Sequence, residues 1–227
     1  MQLNDRLTGS RFLRGVNCVG GVALDLSGLQ LAQVEVELNT LEQDFSAIEK
    51  IVFANASLTE RLENTGILTE GIAWDHAVIG VVGRASGIDR DLRRDRPFAA
   101  YDVLQPKVAL YRYGDVRARM RVRLDEIHES IRLIREVRRG LPLGRLVSRP
   151  MHEAQPGVWA LSAVEGWRGE ILYVVMAGDA GRIHRCKVRD PSFVNWPAIQ
   201  WAALGNIVPD FPLINKSFNL SDAGNDL

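Results

Sequence analysis

Between Gly114 and Gly140 the apolar residues Val116, Met120, Leu124, Ile127, Ile131 and Ile134 recur at spacings of four, four, three, four and three, and nearly every other position is charged. That rhythm is one face of an α-helix. Asp115 is placed to cap its start, Gly140 to take a left-handed stop, and Pro142 to prevent continuation. A helix of roughly 25 residues runs about 38 Å, enough to cross a domain. A second periodic stretch begins at Ser27. Leu31, Val34, Leu38, Leu41, Phe45, Ile48 and Val52 alternate spacings of three and four, with acidic residues between them. This seam is expected to pack on the Gly114–Gly140 helix, with a coiled-coil dimer as the alternative.

Shorter elements surround these two. Met1–Gly9 reads as a helix stopped by Gly9, and Arg11–Leu24 as β-rich with a turn at Gly20 and Gly21. Ser57–Gly66 is expected as a short helix, with Ser57 and Glu60 at the spacing of a capping box. Thr69–Val82 reads as another, and His76 within it as a core histidine rather than a ligand. After Gly140 the period changes to two. Gly157–Ser162, Ile171–Ala177 and Arg182–Val188 are expected as antiparallel strands, turned at Trp167–Gly169 and Gly178–Gly181. Trp196–Leu204 follows as a short helix and Gly205–Leu227 as irregular structure. The class is α+β, long antiparallel helices with a small antiparallel sheet. Residues 1–150 form the mainly helical part with its N-terminal β segment, and 151–227 the sheet, last helix and tail, as one integrated domain.

Composition narrows the function classes. Formal charge over the 227 residues is zero, which argues against a general nucleic-acid binder. The basic run Arg117–Arg123 is followed at once by Asp125, Glu126 and Glu129, so it reads as a paired helix surface. Cys18 and Cys186 are the only cysteines, far apart and in no metal spacing, which fits a reducing compartment and rules out a four-cysteine site within the chain. Cys186 is expected as a small buried hydrophobe. No apolar run reaches the roughly 18 residues of a membrane span, and no signal peptide is visible. Ser221, His184 and Asp222 occur, but without a nucleophile elbow around them.

The least ordinary local sequence is GRASGIDRDLRRDRPFAAY, Gly83–Tyr101. Its Arg/Asp alternation over Asp89–Asp95 reads as a salt-bridge cluster whose surface members contribute about 0–1 kcal/mol each. Arg168, in a strand turn, reads as a solvated residue. Other segments add to this one: LTGSRF with the later GGV, EGWRGE at Glu165–Glu170, and RCKVRDPSF at Arg185–Phe193. In this order they resemble the family joining the large subunit of [NiFe] hydrogenases with the 49-kDa (D) subunit of respiratory NADH:quinone oxidoreductase. Within it, the resemblance is to the large subunit of the hydrogenase-3/hydrogenase-4, formate hydrogenlyase type.

The resemblance implies the C-terminal portion of a hydrogenase large-subunit-like fold. It implies a component of an NADH- or formate:quinone-type oxidoreductase complex in electron transport, with NAD handled elsewhere in the complex. The chain would pack on an iron–sulfur small subunit and other subunits and help to form a quinone chamber. It would lie on the cytoplasmic side, peripheral to the inner membrane through those partners, and bind no nucleic acid. The family holds nickel and iron with two Cys-x-x-Cys pairs, because thiolates are the soft ligands those metals need. The first pair and the quinone-facing His and Tyr lie upstream of the LTG segment. The second pair would fall in SFNLSDAG, where Ser221 and Gly224 stand at the cysteine positions. The chain is therefore expected to hold no nickel and no cofactor of its own, to have no catalytic residue, and to be inactive alone. In the family the arginine matching Arg168 points at the metal centre. Arg84, Asp91, Arg93, Arg168, Ser221 and Gly224 are the residues expected to line a vestigial site or quinone chamber. The chain reads as the C-terminal part of a larger subunit, with one half of a split gene as the alternative, and as a fragment it could form a homodimer through apolar surface. The alternative is a non-catalytic structural or assembly subunit that binds the iron–sulfur small subunit.

Overall fold

In the computed structural model, which describes residues 1–142, 144–148 and 154–226, the chain opens with helix α1 (Gln2–Thr8). It stops at Gly9 in the left-handed conformation, φ 69°, as expected. Of the predicted β-rich stretch only a two-residue ladder forms, β1 (Asn17–Cys18) against β2 (Gly21–Val22). Helix α2 (Gly28–Ala54) carries the periodic seam. Helix α3 (Ala56–Leu62) begins before Ser57, so the Ser57/Glu60 box is not its cap. Asn55 caps it instead, its side chain accepting from the Leu58 N–H at 3.0 Å.

The single helix expected over Thr69–Val82 is two, α4 (Glu70–Asp75) and α5 (Gly80–Ala85). Ala77, after α4, and Gly80, the first residue of α5, take φ of 51° and 67°, which breaks the helical ladder. His76 is only half-buried, at the end of α4, with its ring 5.8 Å from that of Trp201. Helices α6 (Leu92–Asp95) and α7 (Tyr101–Leu104) are single turns in the long connection that follows. Helix α8 (Val116–Arg139) is the predicted long helix, and Asp115 caps it by accepting from Ala118 N–H at 2.7 Å. Gly140 does not take the expected left-handed stop; its N–H donates back to the Glu136 and Val137 carbonyls, both at 3.1 Å. The expected boundary at 150/151 lies outside the described residues.

Strands β3 (Trp159–Gly166), β4 (Gly169–Ala177) and β5 (Ile183–Arg189) form an antiparallel sheet in the order β3-β4-β5. Cys186, paired across from Val175, is exposed rather than buried, because the outer part of β5 has solvent on it. Helix α9 (Pro191–Asn195) precedes α10 (Ile199–Ala203), which lies within the helix expected over Trp196–Leu204. The tail beyond Gly205 is helical where irregular structure was expected, with α11 (Phe211–Phe218) and α12 (Asp222–Asn225). The Asn, Asp and Pro that suggest loop are helix punctuation here: Asp190 and Ser221 cap starts, Pro212 opens α11, and Asn219 closes it at φ 57°.

The chain divides into two compact units, Met1–Lys50 with Ile131–Ala154, and Ile51–Ser130 with Gln155–Leu227. In the first, α2 buries Val34 and Leu38 but leaves Leu41 and Ile48 about half exposed. Its tie to the C-terminal part of α8 is made by ion pairs: Arg135 reaches Glu35 at 3.0 Å and Glu42 at 2.8 Å, and Arg138 reaches Glu35 at 2.7 Å.

In the second unit α8 is buried more widely than its predicted stripe. Val116 joins a core of Leu62, Leu68, Val78, Val82, Ile214 and Phe218, while Ala118 and Val122 pack with Val81 and Ala85 in a second cluster. Gly80 fixes how closely α5 meets the sheet. A Cβ there would stand 2.0 Å from the Arg168 carbonyl oxygen and 2.5 Å from Gly169 Cα. A side chain at Gly80 is thus excluded twice, by its positive φ and by the β3–β4 turn. Gly80→Ala is expected to lower stability in urea denaturation by more than about 3 kcal/mol, strain and backbone clash combined. Gly71→Ala, on α4 with nothing within 4 Å of the new Cβ, should be neutral or stabilising by up to about 1 kcal/mol. Equal effects would contradict the close approach.

Candidate functional site

Every residue of α5 is buried, and its last turn carries Arg84, whose side chain is 1% exposed. A guanidinium in that setting needs partners from several elements. Nη2 donates to Glu126 of α8 at 2.5 Å. Nη1 donates to Glu165 of β3 at 3.0 Å and to the Arg90 carbonyl at 3.1 Å. Asp91 lies 3.6 Å away. Asp91 in turn caps α6 and receives a bidentate fork from Arg93, Nε to Oδ1 at 2.9 Å and Nη2 to Oδ2 at 2.6 Å. The second Glu165 oxygen accepts from Leu92 N–H at 3.2 Å.

Burial shifts these groups in different directions. It works against the Arg84 charge, but Glu126, Glu165 and Asp91 outweigh it and hold the guanidinium above its ordinary range. It pushes Asp91 up, and the hydrogen bonds and charges of Arg93 and Arg84 more than reverse that, so this carboxyl lies below its ordinary value. For Glu165 burial wins: the carboxyl is raised, with Asp91 adding to the lift and Arg84 opposing it.

A second group of arginines surrounds the end of α11. Arg119 is fully buried and donates to Ser217 Oγ at 2.8 Å, to the Gly66 carbonyl at 2.9 Å and to the Gly114 carbonyl at 2.6 Å. Arg123, one turn along, donates to the Phe218 carbonyl at 3.3 Å. Arg168 stands in the β3–β4 turn with its guanidinium 4.0 Å over the Trp167 ring, and its Nε–H reaches the Asn219 carbonyl at 2.6 Å. It is half-buried and engaged rather than the solvated turn residue its position suggests.

Beyond Asn219 the chain turns to meet α9. Ser221 Oγ accepts from Gly224 N–H at 3.0 Å, its own N–H donates to Ser192 Oγ at 3.0 Å, and Asp190 accepts from Ser192 N–H at 2.8 Å. Gly224 is buried against Asp190, whose Cγ would lie 2.6 Å from any Cβ placed there. A family-type centre held by thiolates does not fit these residues. The Ser221 hydroxyl serves as a helix cap, a side chain at 224 would have to displace the Asp190 carboxylate from its place at the start of α9, and the two cysteines of the chain are exposed on other elements. Among the described residues no group of three or more His, Cys, Asp or Glu could hold a metal ion.

Arg84, Asp91 and Arg93 thus come together as expected, but buried rather than as a surface cluster. Only Arg94, with Asp89 and Asp95 at 2.6 and 2.7 Å, forms the surface pairing that the Arg/Asp alternation suggests. Arg168, Ser221 and Gly224 form the second neighbourhood, and Arg123 and Glu126, three apart on α8, lie between the two. Glu126, Glu165, Arg119, Arg123 and Asp190 are participants that the sequence does not single out. For Arg119 and Arg123 a signal is present as a basic run, but helical periodicity cannot tell a buried arginine from a solvated one.

Opposite shifts give opposite pH behaviour. Asp91 contributes stability that is complete above the ordinary Asp value of about 3.9 and is lost as pH falls through its lower folded value. Glu165, raised when folded, contributes stability that is complete below about 4.3 and is lost as pH rises through its folded value. Asp91→Asn is therefore expected to cost about 3–5 kcal/mol at pH 7, since it strips a buried guanidinium of its partner, and to flatten the acid limb of the stability curve. Glu165→Gln should cost distinctly less at pH 7 than at pH 4. Denaturant titration of both variants at the two pH values checks this, and equal losses would contradict the arrangement.

The profile described as "Respiratory-chain NADH dehydrogenase, 49 Kd subunit" matches residues 1–158 and 151–226, nearly the whole chain. Formate hydrogenlyase subunit 5 of Escherichia coli is 30% identical over 96% of this chain and 38% of its own length. The NADH-quinone oxidoreductase D subunit of Clostridium beijerinckii is 29% identical over 96% of this chain and 60% of its own length. The carbon monoxide-induced hydrogenase of Rhodospirillum rubrum is 32% identical over 93% and 58%. A chain in the structure of the membrane-bound sulfane sulfur reductase, an archaeal respiratory membrane complex, superposes with a TM-score of 0.90 at 25% identity, over all of this chain and 63% of that one. The chain therefore spans between about two-fifths and three-fifths of the length of these relatives. With a family match along its length and that fold, it belongs to the family of the 49-kDa subunit of respiratory NADH dehydrogenase, and its relatives include a formate hydrogenlyase subunit and a hydrogenase.

Proposed function

We propose that this chain is part of a large subunit in a membrane-associated respiratory redox complex, and that it works without a nickel–iron centre. The observation that carries the second clause is the closed tail: Gly224 buried against Asp190, and Ser221 occupied as a cap. Electrons would reach this subunit from iron–sulfur clusters in a small partner subunit. The region between the Arg84 network and the Arg168 turn would form part of the wall of the chamber where a quinone or another acceptor is reduced. Arg123 and Arg168 supply fixed positive charge there, which favours an acceptor gaining negative charge. The electron donor, and any NAD site, would lie on other subunits. No helix among the described residues is long and apolar enough to cross a membrane, so association with the membrane would run through partners. Alone, the chain would have no turnover.

A scaffold role is the second reading. It is favoured by the outer half of the sheet, where Trp159, Leu161, Tyr173, Val174 and Ile183 are exposed, as a docking surface needs.

Metal analysis of the complex purified from its native host separates these readings from a hydrogenase. Iron from partner clusters without nickel is the expected result, and stoichiometric nickel held by this subunit would overturn the proposal. Arg168→Gln in the assembled complex should lower turnover by at least about tenfold if the chamber reading holds. Unchanged turnover with intact assembly would favour the scaffold.

A further inference from the structure

We propose that Arg123 and Arg168, backed by Arg119, form a binding site for a compact inorganic dianion at the C-terminal end of α11. Three guanidiniums converge on three consecutive residues: Arg119 on Ser217, Arg123 on Phe218 and Arg168 on Asn219. All their hydrogen-bond partners there are neutral oxygens. The helix end contributes roughly half a negative charge, far less than three cations demand.

The carboxylates near these arginines in sequence are already engaged: Asp125 by the Tyr111 hydroxyl, Glu165 by Arg84, and Glu170 by Arg90 and Arg189. Glu126 is held by Arg84 at 2.5 Å, and Asp115 accepts from Ala118 and Asn64 N–H at 2.7 and 3.0 Å. Elsewhere in the second unit, Arg84, Arg90, Arg93 and Arg189 each have a carboxylate partner. Arg119, Arg123 and Arg168 have none among the described residues. The imbalance leaves its mark on the groups themselves. Burial pushes Arg119 down to about 9, with Asp115 opposing and Arg123 adding to the fall. Burial also lowers Arg123, with Glu126 opposing and the nearby Arg168 charge adding to the fall.

Free donors are also at hand. A guanidinium offers five N–H donors. Arg168 uses only Nε–H, so both of its terminal nitrogens lack a protein acceptor among the described residues. Arg123 Nε–H has no hydrogen-bond partner among the described residues; it is closed to solvent, so it adds to the unmet demand while the terminal nitrogens would meet the anion. A tetrahedral dianion accepts several charge-assisted hydrogen bonds at once and would offset the excess charge. Trp167 stacks on Arg168 and restricts it on one face, leaving its fork preorganised. The inference does not depend on the redox reading, because it concerns charge balance in the folded chain.

The test uses the purified chain and inorganic sulfate. In equilibrium dialysis at constant ionic strength, sulfate is expected to bind saturably at one site per chain. In thermal denaturation it should raise Tm by a few degrees with the same saturation. Arg168→Gln should weaken binding by at least about tenfold, while Arg182→Gln, at a distant exposed turn, should leave it unchanged. Sulfate excluded from protein surfaces also stabilises, but without saturating. A response that does not saturate, that Arg168→Gln leaves intact, or that sodium chloride reproduces at equal ionic strength means an adventitious ion only and overturns the proposal. Arg123→Gln should weaken binding likewise; if it does not fold, dialysis of the wild-type and Arg168→Gln chains still decides.

Discussion

Burying Arg84 is the constraint around which the second unit is organised. Removing a guanidinium from water costs several kcal/mol, and the cost is offset only by partners held in good geometry. Those partners come from helix α8 and strand β3, with Asp91 close by and the backbone of Arg90 as a further acceptor. The network therefore does for this region what a large apolar side chain would do elsewhere, but with direction. An apolar contact tolerates sliding; a fork with two donors aimed at two carboxylates does not. The glycine contacts follow the same demand for close approach, since the β3–β4 turn can meet α5 only where no side chain intervenes.

How much of this was legible in the sequence depended on the kind of signal. The two long helices showed themselves through apolar periodicity over many turns, and the three strands through alternation and glycine turns. The short helix over Trp196–Leu204 was also expected and contains α10, but α9, α11 and α12 were not, because α9 and α12 are five residues or fewer and α11 is eight. Elements that short are stabilised by packing and caps rather than by their own period. Their Asp, Asn, Ser and Pro residues occur in loops as often as at helix ends. The β-rich reading of Arg11–Leu24 erred the other way. Composition suggested strands, but only two residues on each side pair.

The candidate residues divide along similar lines. Arg84, Asp91 and Arg93 stood out by motif, and they belong together in space. Their burial could not be read, since a charge-rich segment on paper is normally a surface. The carboxylates that complete the network come from 42 and 81 residues away in the chain, a distance at which spacing carries no information. Arg168 was visible through resemblance, whereas its stacking on Trp167 and its bond to the α11 end are products of packing.

The contact between Gly224 and Asp190 also couples two segments that lie far apart in sequence. A Cβ at 224 would come within about 3 Å of three atoms of the carboxylate that caps α9. That carboxylate ends a side chain able to rotate away, so a larger residue at 224 is accommodated by giving up the cap, at a cost of about 1 kcal/mol. The start of α9 and the first turn of α12 are therefore thermodynamically linked: whatever loosens one withdraws a partner from the other.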